Sequence, residues 1–237
     1  MHFEALPTKR LPAQFTANNE FKLLDLILSN DIIDAEDEGG KGSLVQKIKT
    51  AALNERSAPE LLEYKEELVD QIKQSLRSQK QRINGPFTEF QFEEKLFTSF
   101  QQMEIDRISY LLRSYLRSRI VKIEKHHSKF VSDETYHQRL SPSEQKFAQS
   151  YTDLIKSHYR ESFLQSLPDR VNSGEEDAMT ARINLDEYVI CRVLERIGQI
   201  ELDDQTDEFA ELNENDVVLI RYRPIQHLLV EGKVELL

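Results

Sequence analysis

Between residues 102 and 127 (QMEIDRISYLLRSYLRSRIVKIEKHH) apolar side chains return at Ile108, Leu111, Leu112, Tyr115, Leu116, Ile120 and Ile123. Steps of three and four mark one face of an α-helix, not the alternation of a strand. No Gly or Pro interrupts the run, and Arg113, Arg117, Arg119, Lys122 and Lys125 take the remaining faces. A helix of this kind must bury its stripe against something to be stable. Continued upstream through Phe100, Phe97 and Leu96 to about Thr88, it would be about 60 Å long at roughly 1.5 Å per residue. That length projects beyond any core this chain could wrap around it and suits it to lying against other subunits.

The flanking pattern predicts further helices. Ser43 is placed to cap a short one carrying Leu44, Val45, Ile48, Ala51, Ala52 and Leu53. Pro59 and Glu60 suit the first turn of the next. Its face runs through Leu61, Leu62, Leu68, Val69, Ile72, Leu76 and Ile83 until Asn84, Gly85 and Pro86 end it. Ser141, Pro142 and Glu144 then spell a strong helix start. Phe147, Tyr151, Leu154, Ile155, His158 and Phe163 line that helix, and Leu167-Pro168 stops it. Together these helices predict an antiparallel bundle.

From Ile183 the period shortens to that of strands. Residues 188–193, 199–202, 207–212 and 216–222 read as short strands between acidic turns. Pro224 opens one or two helical turns, and residues 233–237 form a last strand after Gly232. The expected fold is mainly α with a small β-rich C-terminal domain: a helical bundle over 43–167, then a mostly antiparallel β module over 183–237. The polar, acidic stretch 168–182 links them. A module of about 55 residues buries little surface and is marginal by itself, so it should lean on the bundle or a neighbour. Residues 1–42 read as a tail, in which the apolar cluster from Phe21 to Ile33 is either an extra helix or a docking motif flanked by acids. The GGKGS at 39–43 lacks phosphate-loop spacing and reads as a linker.

Composition narrows the function. Seven glycines leave little for nucleotide-binding loops, and the single cysteine, Cys191, precludes an internal disulfide and a cysteine-rich zinc site. No apolar run approaches 18 residues and no signal-peptide pattern opens the chain, so a soluble, intracellular protein is expected, without membrane contact. The net charge of −11 is uneven: residues 41–130 carry seventeen Lys/Arg against twelve Asp/Glu, residues 168–237 seven against seventeen. That excludes a uniformly basic nucleic-acid binder.

No constellation argues for catalysis, a cofactor or a metal. Glu124 and His127 have the spacing of a helical di-iron pair, but no second such motif exists. His126-His127 lacks partners at zinc-ligand spacing. His158 reads as a packed bundle residue and Cys191 as a small core residue. His2, His137 and His227 have no nucleophile arranged around them. The basic series Arg113, Arg117, Arg119, Lys122, Lys125 and Lys129 has two readings. Pairing with acids on neighbouring helices is one. Phosphate contact is the other, although only Tyr115 interleaves it.

Four blocks of the chain, in order, carry a family resemblance. The central helix with SYLRSR and KIEK is similar to that of the Sld-five subunit family of the GINS replication complex. NERSAPELLEYKEELV (54–69), LSPSEQKFAQSY (140–151) and LIRYRPIQHLLVEGKVELL (219–237) resemble the same family. The resemblance implies a helical A-domain followed by a β-rich B-domain. It also implies a non-catalytic nuclear subunit in a heterotetramer with three other GINS subunits. That tetramer joins the Mcm hexamer and a Cdc-type accessory protein in the replicative helicase, and associates with polymerase epsilon. DNA contact would be indirect or weak; the alternative is a helical nucleic-acid-binding protein using the basic series. Candidate partner-binding residues are Leu111, Tyr115, Leu116, Arg117, Ile120 and Ile123 on the central helix, and Val234, Leu236 and Leu237 at the end.

Overall fold

The computed structural model describes residues 43–83, 92–162, 182–203 and 206–237, with the side chains of 92–95, 203 and 206–208 left aside. The chain falls into two compact units, Met1–Leu44 and Val45–Leu237, and almost all described residues belong to the second. The 1–42 tail, the stops at Asn84 to Pro86 and Leu167-Pro168, Phe87, Phe90, Phe163 and nearly all of the 168–182 linker lie outside the described residues.

Six helices come first: α1 (Leu44–Ser57), α2 (Glu66–Ile83), α3 (Phe92–Lys125), α4 (His127–Ser132), α5 (Glu134–His137) and α6 (Pro142–Ser162). The C-terminal part holds β1 (Tyr188–Val193), β2 (Gly198–Asp203), β3 (Thr206–Leu212), β4 (Val217–Arg221), α7 (Tyr222–Val230) and β5 (Val234–Leu236). The architecture is the expected one, helices followed by a small antiparallel β part.

The central helix α3 has 34 residues, about 51 Å at roughly 1.5 Å per residue. Its described residues begin at Phe92, and the expected start near Thr88 lies outside the described residues. Its buried stripe is Ile105, Ile108, Leu112, Tyr115, Arg119 and Ile123. An arginine thus occupies a position that helical spacing assigns to the core. Leu111 and Leu116 are half-buried and Ile120 is 40% exposed, so the apolar stripe is one residue out of phase with the expectation at its C-terminal end.

Helix α2 buries Val69, Ile72 and Leu76 against α3; acids open it and Lys80 and Arg82 close it, complementing its dipole. The start of α6 is a reciprocal capping box. Ser141 N–H donates to Glu144 Oε2 (2.8 Å) and Glu144 N–H donates to Ser141 Oγ (3.3 Å), with Pro142 first in the helix.

Three local expectations fail. Pro59 and Glu60 do not begin a helix: residues 58–65 have no regular structure, and α2 starts at Glu66. The inward positions of α6 are Glu144, Ala148 and Thr152, not the aromatic line. Phe147 and His158 are exposed and Leu154 is 64% exposed, because the small residues allow close packing and turn the large ones outward. Pro224 does not open a helix but sits third in α7, within the first turn where its missing N–H is not needed.

Strand β1 alternates outward and inward, burying Val189, Cys191 and Val193. It is central in the order β4-β1-β5, antiparallel to both, while β2 and β3 form a separate hairpin. Tyr222, Ile225, Leu228 and Leu229 of α7 share one core with the inner sheet face and with Ala58 and Leu62 of the irregular segment. The burial of Cys191 pushes its thiol up to about 11, as for a core residue.

Candidate functional site: the joint between bundle and C-terminal module

Within the irregular segment 58–65, cations from elsewhere take the carbonyls of residues 60–62. Lys122 Nζ donates to Glu60 O (2.7 Å), Arg139 Nη1 to Leu61 O (3.0 Å) and Arg119 Nη1 to Leu62 O (2.7 Å). Three consecutive peptide groups are thereby satisfied by side chains far away in sequence.

Arg119 is the centre. It is fully buried, and each of its five N–H groups has an acceptor. Nε and Nη2 clasp the two oxygens of Glu144 (2.8 and 3.0 Å). Nη1 reaches Glu55 Oε2 (3.1 Å) and Leu62 O, and Nη2 also reaches Arg139 O (2.9 Å). Its guanidinium lies near the rings of Tyr64 and Tyr115. Burial pulls its pKa down, but the bond to Glu144 and the charge of Glu55 more than offset this, so the group stays charged. Lys122 bonds Glu55 Oε1 (2.8 Å); its burial holds it below the ordinary lysine range, and Glu55 offsets only part of that. Arg119, Lys122 and Arg139 thus face Glu55, Glu60 and Glu144, a balanced set, as buried charges require.

From this hub Glu60 reaches across to the β part. Its carboxylate accepts from Arg139 Nη1 (2.8 Å) on the bundle side, and from Tyr222 OH (2.9 Å) and Gln226 Nε2 (2.6 Å) of α7. Burial, then the neighbouring Glu60 charge, drive the Tyr222 phenol far above its usual value, so its proton stays in place to donate. Asn54 Oδ1 accepts from Leu236 N–H (2.7 Å) in β5, and Ser57 Oγ donates to Leu237 O (2.9 Å). The block NERSAPELL at 54–62 is therefore the seat of the C-terminal module: Asn54, Ser57 and Glu60 bind it, Ala58 and Leu62 enter its core, and Glu55 anchors the seat to α3.

The candidate partner residues divide by burial. Tyr115, Ile123, Val234 and Leu236 are buried within the chain. Leu111 and Leu116 are half-buried; Arg117, Ile120 and Leu237 are exposed. Sequence reasoning named Arg119 only as one of a basic series that could pair with acids, as it does with Glu55 and Glu144, and missed Glu55, Glu60 and Asn54 as site residues. Only the four-residue steps from Tyr115 to Arg119 to Ile123 could have marked Arg119 as inward. In the basic series Arg119 and Lys122 are internal, Lys129 sits over the Tyr136 ring, and Arg113 Nε donates to Ser109 O. Arg113, Arg117 and Lys125 are exposed.

Among the described residues no group of three or more His, Cys, Asp or Glu is placed to hold a metal ion. No described helix is long and apolar enough to cross a membrane.

A helical bundle whose buried charges hold the seat of a C-terminal β module defines a two-part protein. Residues 62–163 match the family described as the GINS complex protein helical bundle domain, and residues 184–237 the DNA replication complex GINS protein SLD5 C-terminus. The chain is 33% identical over 203 residues to the GINS protein SLD5 of Rattus norvegicus, covering 82% of this chain and 89% of that protein. It is 33% identical over 223 residues to that of Xenopus laevis, covering 90% and 99%. To that of Arabidopsis thaliana it is 32% identical over 201 residues, covering 81% and 90%. The chain belongs to the SLD5 family of GINS proteins, a family of DNA replication.

Proposed function

We propose that the chain is a non-catalytic structural subunit of a heterotetrameric GINS complex, working in the nucleus. There it holds three other GINS subunits in a fixed geometry, so that the tetramer can join the Mcm hexamer and a Cdc-type accessory protein in the replicative helicase and associate with polymerase epsilon. The division of labour on the bundle carries this reading. Its buried charged side chains fix the C-terminal module, while Met103, Tyr110, Ile120 and Val121 on α3 and Phe147 and Leu154 on α6 remain exposed. Aromatic, Met and Arg side chains on a surface are the composition of a protein interface, and Arg113 and Arg117 lie among those of α3. Of the candidate residues, Leu111, Leu116, Arg117, Ile120 and Leu237 are the ones left to meet a partner.

Co-expression tests the reading. Expressed alone the chain should self-associate through its bare helix faces, and it should elute in stoichiometric amounts with three GINS partners when they are supplied. A stable, monodisperse monomer that ignores those partners would overturn it. Salt-dependent DNA binding by the chain alone would favour the nucleic-acid-binding alternative.

A further inference from the structure

Arg139, Leu140 and Ser141 carry the chain into α6, and their anchors lie largely in other segments. Arg139 is held at both ends. Its guanidinium donates to Glu60 Oε2 (2.8 Å) and Leu61 O (3.0 Å), and its main-chain oxygen accepts from Arg119 Nη2 (2.9 Å). Leu140 is buried in one cluster with Leu61, Ile123 and Ala148, and its carbonyl takes the side-chain amide of Gln145 (3.4 Å). Ser141 closes the capping box with Glu144, whose two oxygens are clasped by Arg119.

The Glu60 carboxylate that holds Arg139 is the one that receives the C-terminal module. Oε1 takes Tyr222 OH and Gln226 Nε2, which leaves Oε2 to Arg139. Glu60 is 2% exposed and Tyr222 fully buried, so a donor lost there is not replaced by bulk water. Withdrawal of α7 removes both donors from Oε1 and opens the carboxylate to solvent. Arg139 then loses the fixed acceptor that orients it and keeps Leu61 O and the Tyr136 ring. A packed joint of this kind has discrete seated and unseated arrangements rather than a graded series.

What α6 displays depends on how it starts. The rings of Phe147 and Tyr151 stack with centroids 5.8 Å apart, and Leu154 follows them on the same face. These side chains lie within the first turns after the cap, so a shift of the Arg139–Ser141 entry moves them.

We infer that seating of the C-terminal module and the start of α6 are coupled through Glu60, Arg139, Arg119 and Glu144. A partner that holds the module in its seat thereby favours the α6 face that a second partner meets, and the converse follows by reciprocity. What the coupling serves rests on the reading of the chain as a complex subunit. Exchange in the chain decides the coupling and recovery of the complex decides that reading, so the two fail separately.

The test is amide exchange in the full chain at three reporters. Leu236 N–H bonds the seat through Asn54, Gln145 N–H bonds Ser141 O in the first turn of α6, and Ile72 lies inside α2, outside the hub. Tyr222→Phe should speed exchange at Leu236 and Gln145 alike, by about fivefold or more, with Ile72 unchanged. Ser141→Ala, at a residue bonded to Glu144 and Gln145, should speed Leu236 in return. Gln145 at the parent's rate while Leu236 quickens overturns the inference, as does Leu236 at the parent's rate in Ser141→Ala. A rise at Ile72 in step with the other two marks a general loss of stability and also overturns it. Should Tyr222→Phe leave Leu236 unmoved, Glu60→Gln weakens the shared acceptor from the seat side, and an unmoved Gln145 in that variant counts equally against the coupling.

Discussion

Arg119 shows how one side chain can hold four separated segments. Its acceptors lie 20, 25, 57 and 64 residues away, and the planar fork matches the geometry of Glu144 in a way that an ammonium cannot. Arg119→Lys should therefore behave as a loss: the remaining cation cannot reach Glu55, Glu144 and both carbonyls together. Breaking a buried pair costs about 3–5 kcal/mol, to be read as a fall in the denaturation midpoint. A midpoint within error of the parent would refute the five-donor arrangement. Tyr115 gives a pH signature. Burial pushes its phenol up to about 12, well above the usual 10.0, with Arg119 opposing. Its folded value exceeds its unfolded one, so its contribution is whole below about pH 10 and lost as the pH climbs through 12. Alkaline unfolding curves of Tyr115→Phe should flatten over that window, and a curve parallel to the parent's would contradict the burial.

Among the elements, α6 shows what local sequence reveals. Ser141-Pro142-Ser143-Glu144 announced the cap, and Ser141→Ala should cost about 1 kcal/mol by removing the acceptor for Glu144 N–H. Thermal unfolding that does not move would mean the cap is idle. The same residues concealed that Glu144 is shared, closing the box with one oxygen while both oxygens hold Arg119. Long helical runs, the cap and the alternation of β1 were legible because their signals lie within a few residues. The stretch at Pro59 and Glu60 misled, since the cations that draw it out of helix come from positions 119, 122 and 139. The α6 face misled for a related reason: which side of a helix faces the core is decided by what packs there, and α3 and α4 accept Ala148 and Thr152 closely. Arg119 was hidden among look-alikes, its distinction being only its phase on α3.

For the molecule as a whole, Glu60 is the bridge. One carboxylate receives Arg139 from the bundle and Tyr222 and Gln226 from α7. Glu60→Ala would leave the Tyr222 hydroxyl without its acceptor in a buried place, a penalty of about 1–3 kcal/mol. The expected outcome is local: amides of β1 should exchange faster, while helical circular dichroism persists. β1 amides exchanging at the parent's rate would show that Asn54 and the apolar seat suffice. Removing residues 233–237 should loosen the same module, with about 2–4 kcal/mol lost with Val234 and Leu236. Undiminished incorporation of that truncated chain into the complex would argue against the module as a structural dock.

The seat and its occupant are also far apart in time. Asn54 and Leu236 are separated by 182 residues, Glu60 and Tyr222 by 162. A ribosome adds about 5–20 residues per second, so the seat waits on the order of ten to forty seconds before its occupant exists. Throughout that interval Ala58 and Leu62 lack the core they later join. The nascent bundle therefore carries an apolar notch that closes only once the C-terminal module has been made.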